Sequence, residues 1–229
     1  ALSLAKEGVN VIGVARSKKN LSILKNQLDQ YSKNNFVISL DLLKKNNVKK
    51  LIKIINNKKI SVNIIVHNLG GSLNITNPFS SINDWLEVWN YNLGISIEIN
   101  NHFIPKMIKS KWGRVVHISS MVTTTNKGYI PYVVSKNSLE GYVKSFSKEL
   151  SKYNVIMNSV APGLVNLKNR YFSDLKKNNV KKFNKFLENN IPIMRMAEKE
   201  EIASLVTFLC SNHSSYMPGS IVKIDGVGN

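Results

Sequence analysis

The stretch GRVVHISSMVTTTNKGYIPYVVSKNSLEGYVKSFSKEL, Gly113 to Leu150, holds the pattern by which the rest of the chain is read. Its opening run, Arg114 to Ser119, is mostly apolar without strict alternation, as in a strand covered on both faces. A helical pattern follows over 132 to 152, and a second apolar run, Val155 to Val160, comes after it. Strand, helix, strand in that order is a βαβ unit with parallel strands. The same alternation continues in both directions. Further strands are predicted at Asn10 to Ala15, Phe36 to Asp41, Val62 to His67 and Ile221 to Asp225. Further helices are predicted near 17 to 32, 43 to 57, 81 to 110, 170 to 190 and 198 to 211. The last is the clearest, because Ile202, Leu205, Val206 and Leu209 fall at i, i+3, i+4 and i+7. The pattern predicts an α/β fold: a doubly wound parallel sheet in a three-layer α/β/α arrangement.

With 229 residues, one domain spanning 1 to 229 is the expectation. At 43% hydrophobic and 20% charged, with one cysteine and no apolar run near 18 residues, the chain is read as soluble. A membrane span, a disulfide scaffold and a disordered tail are excluded. Cys210, alone in an apolar helical stretch, fits a reducing compartment, and the protein is read as cytoplasmic. Ala1 to Gly8 looks like half a helix running into a strand, without an initiator Met, so the start is expected to be truncated. The net charge of +18 raises the question of nucleic acid, yet Lys supplies 28 of the 32 basic residues and Arg four. The Lys excess and 31 Asn are spread evenly, whereas a groove reader favours Arg for bidentate contacts; no specific nucleic-acid partner is expected. Basic residues gather only from Lys168 to Lys185, where seven Lys or Arg face the single Asp174.

Tyr132 and Lys136 lie four apart on a predicted helix, so both project from one face. A fixed cation beside a phenol lowers its pKa toward the range of an acid/base catalyst. With eight Tyr and this much Lys, about one such pair arises by chance, so the context decides. Ser119 and Ser120 end the preceding strand at its carboxyl end, where open parallel sheets bind ligands. Two other strand ends, His67-Asn-Leu-Gly-Gly71 and Ala161-Pro-Gly163, are small or broken and admit a close backbone approach.

Together these motifs resemble the short-chain dehydrogenase/reductase family across Ala1 to Asn229, with the 3-oxoacyl-carrier-protein reductases as the nearest pattern. His67-Asn68-Leu69-Gly70 is similar to the family's Asn-Asn-Ala-Gly strand end, Asn92 to its helix Asn, and Pro162-Gly163 to its Pro-Gly turn. Asn92 lies 24 residues after Asn68 and Ser120 lies 28 after Asn92, spacings that also resemble the family. The resemblance implies a Rossmann-type fold and hydride transfer between a ketone and a secondary alcohol. Tyr132 is the implied general acid. Ser120, with Ser119 as fallback, would bond the reacting oxygen. Lys136 would lower the Tyr pKa and hold the ribose hydroxyls, and Asn92 would position a water for proton resupply. Asn68, Leu69, Gly70, Tyr132, Lys136, Pro162, Gly163 and Val165 would line the nicotinamide end of the cofactor. Asp41 and Leu42 would contact the adenine. Arg16-Ser17-Lys18-Lys19, where an acid would select NAD(H), implies NADP(H) through a 2′-phosphate contact by Arg16 and Ser17.

Departures are informative too. The first strand and its Gly-rich turn are missing, Leu69 replaces the usual Ala, and Leu167 stands where a Thr often bonds the nicotinamide amide. The implied substrate is a small or carrier-linked carbonyl compound, anionic because Asn166 to Asn190 would form a Lys-rich lid. Alternatives are a sugar or polyol dehydrogenase and an inactive binding protein on this scaffold. A homotetramer or homodimer through 81 to 110 and 132 to 152 is the implied assembly, with no metal and no membrane partner.

Overall fold

The computed structural model describes residues 1–167 and 171–228. Lys168, Asn169 and Arg170, within the expected basic lid, and Asn229 lie outside the described residues. Among the described residues every strand pairing is parallel, as continuous apolar runs separated by helices require. By compactness the chain divides into two units, Ala1–Val62 with Ile95–Lys106, and Asn63–Gly94 with Met107–Asn229.

The first unit opens with α1 (Leu2–Lys6), which ends at Gly8 with φ +80°. Then come β1 (Ile12–Ala15), α2 (Lys18–Leu28), β2 (Phe36–Ser39) and α3 (Asn47–Asn57). β1 and β2 pair in register from Ile12 with Phe36 to Ala15 with Ser39. The strand begins two residues later than predicted because the Val11 N–H donates to the buried Asn35 side chain at 2.6 Å. Asn35 also donates to the carbonyls of Leu28 and Ser32, both at 2.8 Å, so one amide joins the end of α2 to the entry of both strands. β2 stops before Asp41, whose carboxylate accepts the Leu43 N–H at 3.2 Å and turns the chain. Val48, Leu51 and Ile55 form the buried stripe of α3.

The second unit contains β3 (Ile64–His67), α4 (Ile82–Trp89) and a π turn (Asn90–Gly94) that leads into α5 (Ile95–Ser110), the helix whose residues divide between the units. β4 (Gly113–Ile118), α6 (Val122–Thr125), α7 (Ile130–Leu150) and β5 (Val155–Pro162) follow. α8 (Tyr171–Asn178), α9 (Val180–Asn190), α10 (Lys199–Leu209) and β6 (Ile221–Ile224) complete it. The sheet order is β3-β4-β5-β6. Successive residues of β4 and β5 are buried, which places cover on both faces, since neighbours along a strand point oppositely. α7 and α10 both pack on β5.

Several predicted boundaries are corrected. The span 81 to 110 is two helices separated by the π turn. The span 170 to 190 is broken at Asn179, whose side chain caps α9 by accepting the Lys182 N–H at 2.9 Å. α7 starts two residues earlier than predicted, because Pro131 sits in its first turn, where no N–H is needed. The short α6 was not anticipated. Among the described residues no helix is long and apolar enough to cross a membrane, and no group of three or more His, Cys, Asp or Glu is placed to hold a metal.

Arg114 enters β4 wholly buried. Its guanidinium donates to the carbonyls of Ser211 and Gly113 at 2.9 Å and of Asn154 at 3.2 Å, and lies 4.7 Å from the Trp112 ring centroid. A flat, five-donor group suits this set of acceptors; an ammonium does not. Arg114→Met should therefore lower stability by about 2–3 kcal/mol by leaving buried carbonyls unbonded, read as a lower urea midpoint. A midpoint equal to that of the unmutated chain would show that these bonds contribute nothing net.

Candidate active site

At the end of β4 the Ser119 N–H donates to the Val160 carbonyl at 2.7 Å, and the Met121 N–H to the Pro162 carbonyl at 2.8 Å. Ser120 is thus pinned between two bonds to β5. Its side chain acts on the Tyr132 phenol, lowering the phenol pKa against the effect of burial. Ser119 turns elsewhere, its hydroxyl donating to Glu140 Oε1 at 2.7 Å. Of the two serines, the structure brings Ser120 to Tyr132.

Lys136, one turn beyond Tyr132 on α7, is buried and donates to the Ile118 carbonyl at 2.7 Å. Burial pulls its pKa down to about 8, against the opposing pull of the Glu140 carboxylate. Its Nζ lies 5.8 Å from the Tyr132 ring centroid. The expected lowering of the phenol pKa by Lys136 is not what this arrangement produces. Burial raises the Tyr132 pKa, and Ser120 is what pulls it back. The ammonium donates to the Ile118 carbonyl, and the Glu140 charge is what opposes the effect of its burial.

Asn92 sits wholly buried in the π turn. Its Nδ2 donates to the carbonyls of Gly71 at 2.9 Å and Val88 at 2.8 Å, and its Oδ1 accepts the Gly71 N–H at 3.0 Å. The Val88 carbonyl, four residues back, is the one that an α-helix would give to the Asn92 backbone, so the side chain competes locally with the helical ladder. The amide thereby clamps the turn after β3. Oδ1 accepts one bond here and has a second lone pair, the acceptor that the expected proton-resupply water would use. Gly70 completes the junction: a Cβ there would lie 2.6 Å from Asn92 Oδ1 and 3.0 Å from Lys136 Nζ. Asn68 and Leu69 lead into this turn. Just before them His67 stacks on His117 of β4, ring centroids 4.5 Å apart. Burial, His67 and Lys136 hold the His117 pKa well below the ordinary value.

At the next sheet edge Gly163 N–H donates to the Ile224 carbonyl at 3.0 Å, and a Cβ on Gly163 would come within 2.6 Å of Asp225 Cα. Val165 bridges Ala197, holding the chain beyond Pro162 and Gly163. In the first unit, Arg16, Lys18 and Lys19 are exposed at the end of β1. The Ser39 hydroxyl donates to the Arg16 carbonyl at 3.2 Å, and Ser17 caps α2 by accepting the Asn20 N–H at 3.2 Å. Asp41 and Leu42 follow the adjoining end of β2. Sequence reasoning missed Glu140 and Thr123, although Tyr132, Lys136 and Glu140 fall at successive i+4 positions, a signal open to a longer reading of that helix face.

The family described as Enoyl-(Acyl carrier protein) reductase matches residues 1–227. The 3-oxoacyl-[acyl-carrier-protein] reductase of Aquifex aeolicus is 31% identical over 228 residues, covering 99% of this chain and 90% of that protein. That of Buchnera aphidicola subsp. Schizaphis graminum is 32% identical over 99% of this chain and 89% of its own. In fold the chain is similar to a 3-oxoacyl (acyl-carrier-protein) reductase from Agrobacterium tumefaciens C58 with NADP bound, at a TM-score of 0.88 and 24% identity, covering 99% of this chain and 87% of that one. It is similar also to L-sorbose reductase from Gluconobacter frateurii complexed with NADPH and L-sorbose, at 0.87 and 24%, covering 98% and 89%.

Gly70→Ala tests the junction. The added methyl would meet two hydrogen-bonded side-chain ends, so Asn92 or Lys136 must give up a bond or move, at a cost of about 1–3 kcal/mol for overpacking. Urea unfolding should show it. Unaltered stability would mean that the turn can swing clear of both side chains.

Proposed function

The chain belongs to the short-chain dehydrogenase/reductase family of oxidoreductases, and we propose that it reduces the ketone of a 3-oxoacyl group on an acyl carrier protein to the secondary alcohol, with NADPH as donor. The observation that carries this reading is the buried Lys136 one helical turn beyond Tyr132 on α7, with Ser120, at the end of β4, acting on the phenol. Each unit by itself carries residues of the kind the cofactor needs: in the first, the end of β1 offers Arg16, Lys18 and Lys19 to a 2′-phosphate with no acid among them to repel it, and in the second the turn at Gly70 is bare beside Lys136. When bound, the cofactor supplies the hydride. Arg16 and Ser17 would hold the phosphate, Asp41 and Leu42 the adenine. Asn68 to Gly70, Pro162, Gly163 and Val165 would flank the nicotinamide end.

Tyr132 donates its proton to the substrate oxygen. Its raised pKa keeps the phenol protonated at neutral pH, which is the form reduction needs. Ser120 donates to the same oxygen and orients it. Lys136 would hold the ribose hydroxyls of the bound cofactor, and its charge, 5.8 Å from the Tyr132 ring centroid, would favour the phenolate left after proton transfer.

The substrate class is supported by what lies beside Ser120. Met121 and Leu164, only partly buried, are apolar and are backed by a buried cluster of Phe183, Leu187, Ile191 and Met196, and such a flank would suit an acyl chain better than a polyol. Lys176, Lys177, Lys181, Lys182 and Lys185 are exposed on α8 and α9 and suit an acidic carrier. We infer a homodimer or homotetramer, because α4 exposes Ile82, Leu86 and Trp89 along one face and α7 exposes Ile130 and Val134.

Following NADPH oxidation with a 3-oxoacyl thioester tests the reading. Tyr132→Phe should cost at least about a hundredfold in kcat with cofactor affinity little changed. No turnover by the unmutated protein, or a Phe variant with most of the rate, would overturn it. Arg16→Asp should shift the NADPH to NADH preference by about ten- to a hundredfold toward NADH, measured as a ratio of kcat/KM; an unmutated enzyme that already prefers NADH defeats the assignment. Lys136 holds its proton below about pH 8 and loses it above. Reduction should therefore be level below that pH and decline up to about tenfold per unit above it, while Tyr132 stays protonated.

A further inference from the structure

Resting on that reading of Tyr132 and Lys136, we propose that Glu140 is a positioning residue of the site: its carboxylate ties the Ser119–Thr123 segment to α7 and supplies the negative charge that holds the Lys136 ammonium in the interior. Oε1 accepts two hydroxyl bonds, from Ser119 at 2.7 Å and from Thr123 Oγ1 at 2.8 Å. The single Thr123 hydroxyl proton is shared, because the Ser120 carbonyl lies within 2.9 Å of the same Oγ1. Ser120 is therefore bracketed by two residues anchored to one carboxylate, on the helix that carries Tyr132. Ser120 follows β4 and Tyr132 lies on α7, and this carboxylate links the two segments.

The charge acts separately from the bonds. Lys136 is buried and its other polar partner is the neutral Ile118 carbonyl. The titratable groups around Lys136 are Glu140 and Tyr132 on α7 and His117 on β4, with His67 of β3 stacked on His117; Lys144, one turn beyond Glu140, is exposed. Of these only Glu140 brings a compensating negative charge. Without it, desolvation of the ammonium has less to oppose it, and the proton leaves at lower pH.

Two variants separate bonds from charge. Glu140→Gln keeps an acceptor oxygen for both hydroxyls and removes the charge. Glu140→Leu removes both. The Lys136 titration can be followed by 13C NMR of lysine-labelled protein, with its resonance assigned by loss in Lys136→Met, a readout that needs no turnover. Glu140→Gln should lower that midpoint, and the alkaline limb of kcat/KM, by about half a unit to one unit, while kcat below the limb stays near that of the unmutated enzyme. Glu140→Leu should in addition lower kcat about tenfold or more by letting Ser120 drift from Tyr132. Should Glu140→Leu not fold, Ser119→Ala combined with Thr123→Val removes the same bonds from the other side and should give the same kcat loss. A Lys136 midpoint unchanged in Glu140→Gln overturns the electrostatic part. A kcat within twofold of the unmutated value when the hydroxyl bonds are gone overturns the positioning part. A shifted midpoint in a protein with no reductase activity leaves this inference standing and removes the functional reading instead.

Discussion

A lysine ammonium taken out of water has to be met by oxygen and by charge, and the candidate site is arranged around that demand at Lys136. The Ile118 carbonyl meets it from the end of β4, the Glu140 carboxylate from the next turn of α7, and the turn after β3 leaves it space by having no side chain at Gly70. Three elements far apart in the chain are thereby obliged to converge. The strand ends that a parallel sheet brings to one edge become a site because a buried cation draws them together there.

Around that cation the other groups take complementary tasks. Tyr132 keeps its proton because burial disfavours the phenolate, and Ser120 limits how far that goes. Asn92 touches no reacting group, yet it holds Gly71 from both sides and so holds the bare turn against Lys136. His117 is kept uncharged by burial and by its cationic neighbour, which avoids a second positive charge beneath the site. The acid, the cation and the spacer are set by different forces: desolvation for the first, hydrogen bonding and the field of a nearby carboxylate for the second, and backbone clamping for the third.

Ser119 and Ser120 show where a sequence reading stops. Both stand at the end of the same strand, and adjacent residues there point to opposite sides. Which side faces Tyr132 depends on how α7 lies against β4, and the answer is a bond between Ser119 and Glu140, 21 residues away. The π turn is similar. An apolar periodicity over 81 to 110 reads as one helix; the ladder yields at Asn92 because its amide finds Gly71, also 21 residues away.

What the sequence by itself determined was the order of strands and helices, their parallel pairing, and the candidacy of Tyr132, Lys136, Asn92, Ser120 and the small strand ends. Those follow from local periodicity and from residue type at short spacing, which any stretch carries within itself. Only the tertiary structure decided which serine meets the phenol, that Glu140 and not Tyr132 answers the Lys136 charge, and that Asn92 serves the turn with its side chain. These are settled by contacts between distant segments and by the loss of water around them, and a burial cost exists only once the core that imposes it has closed.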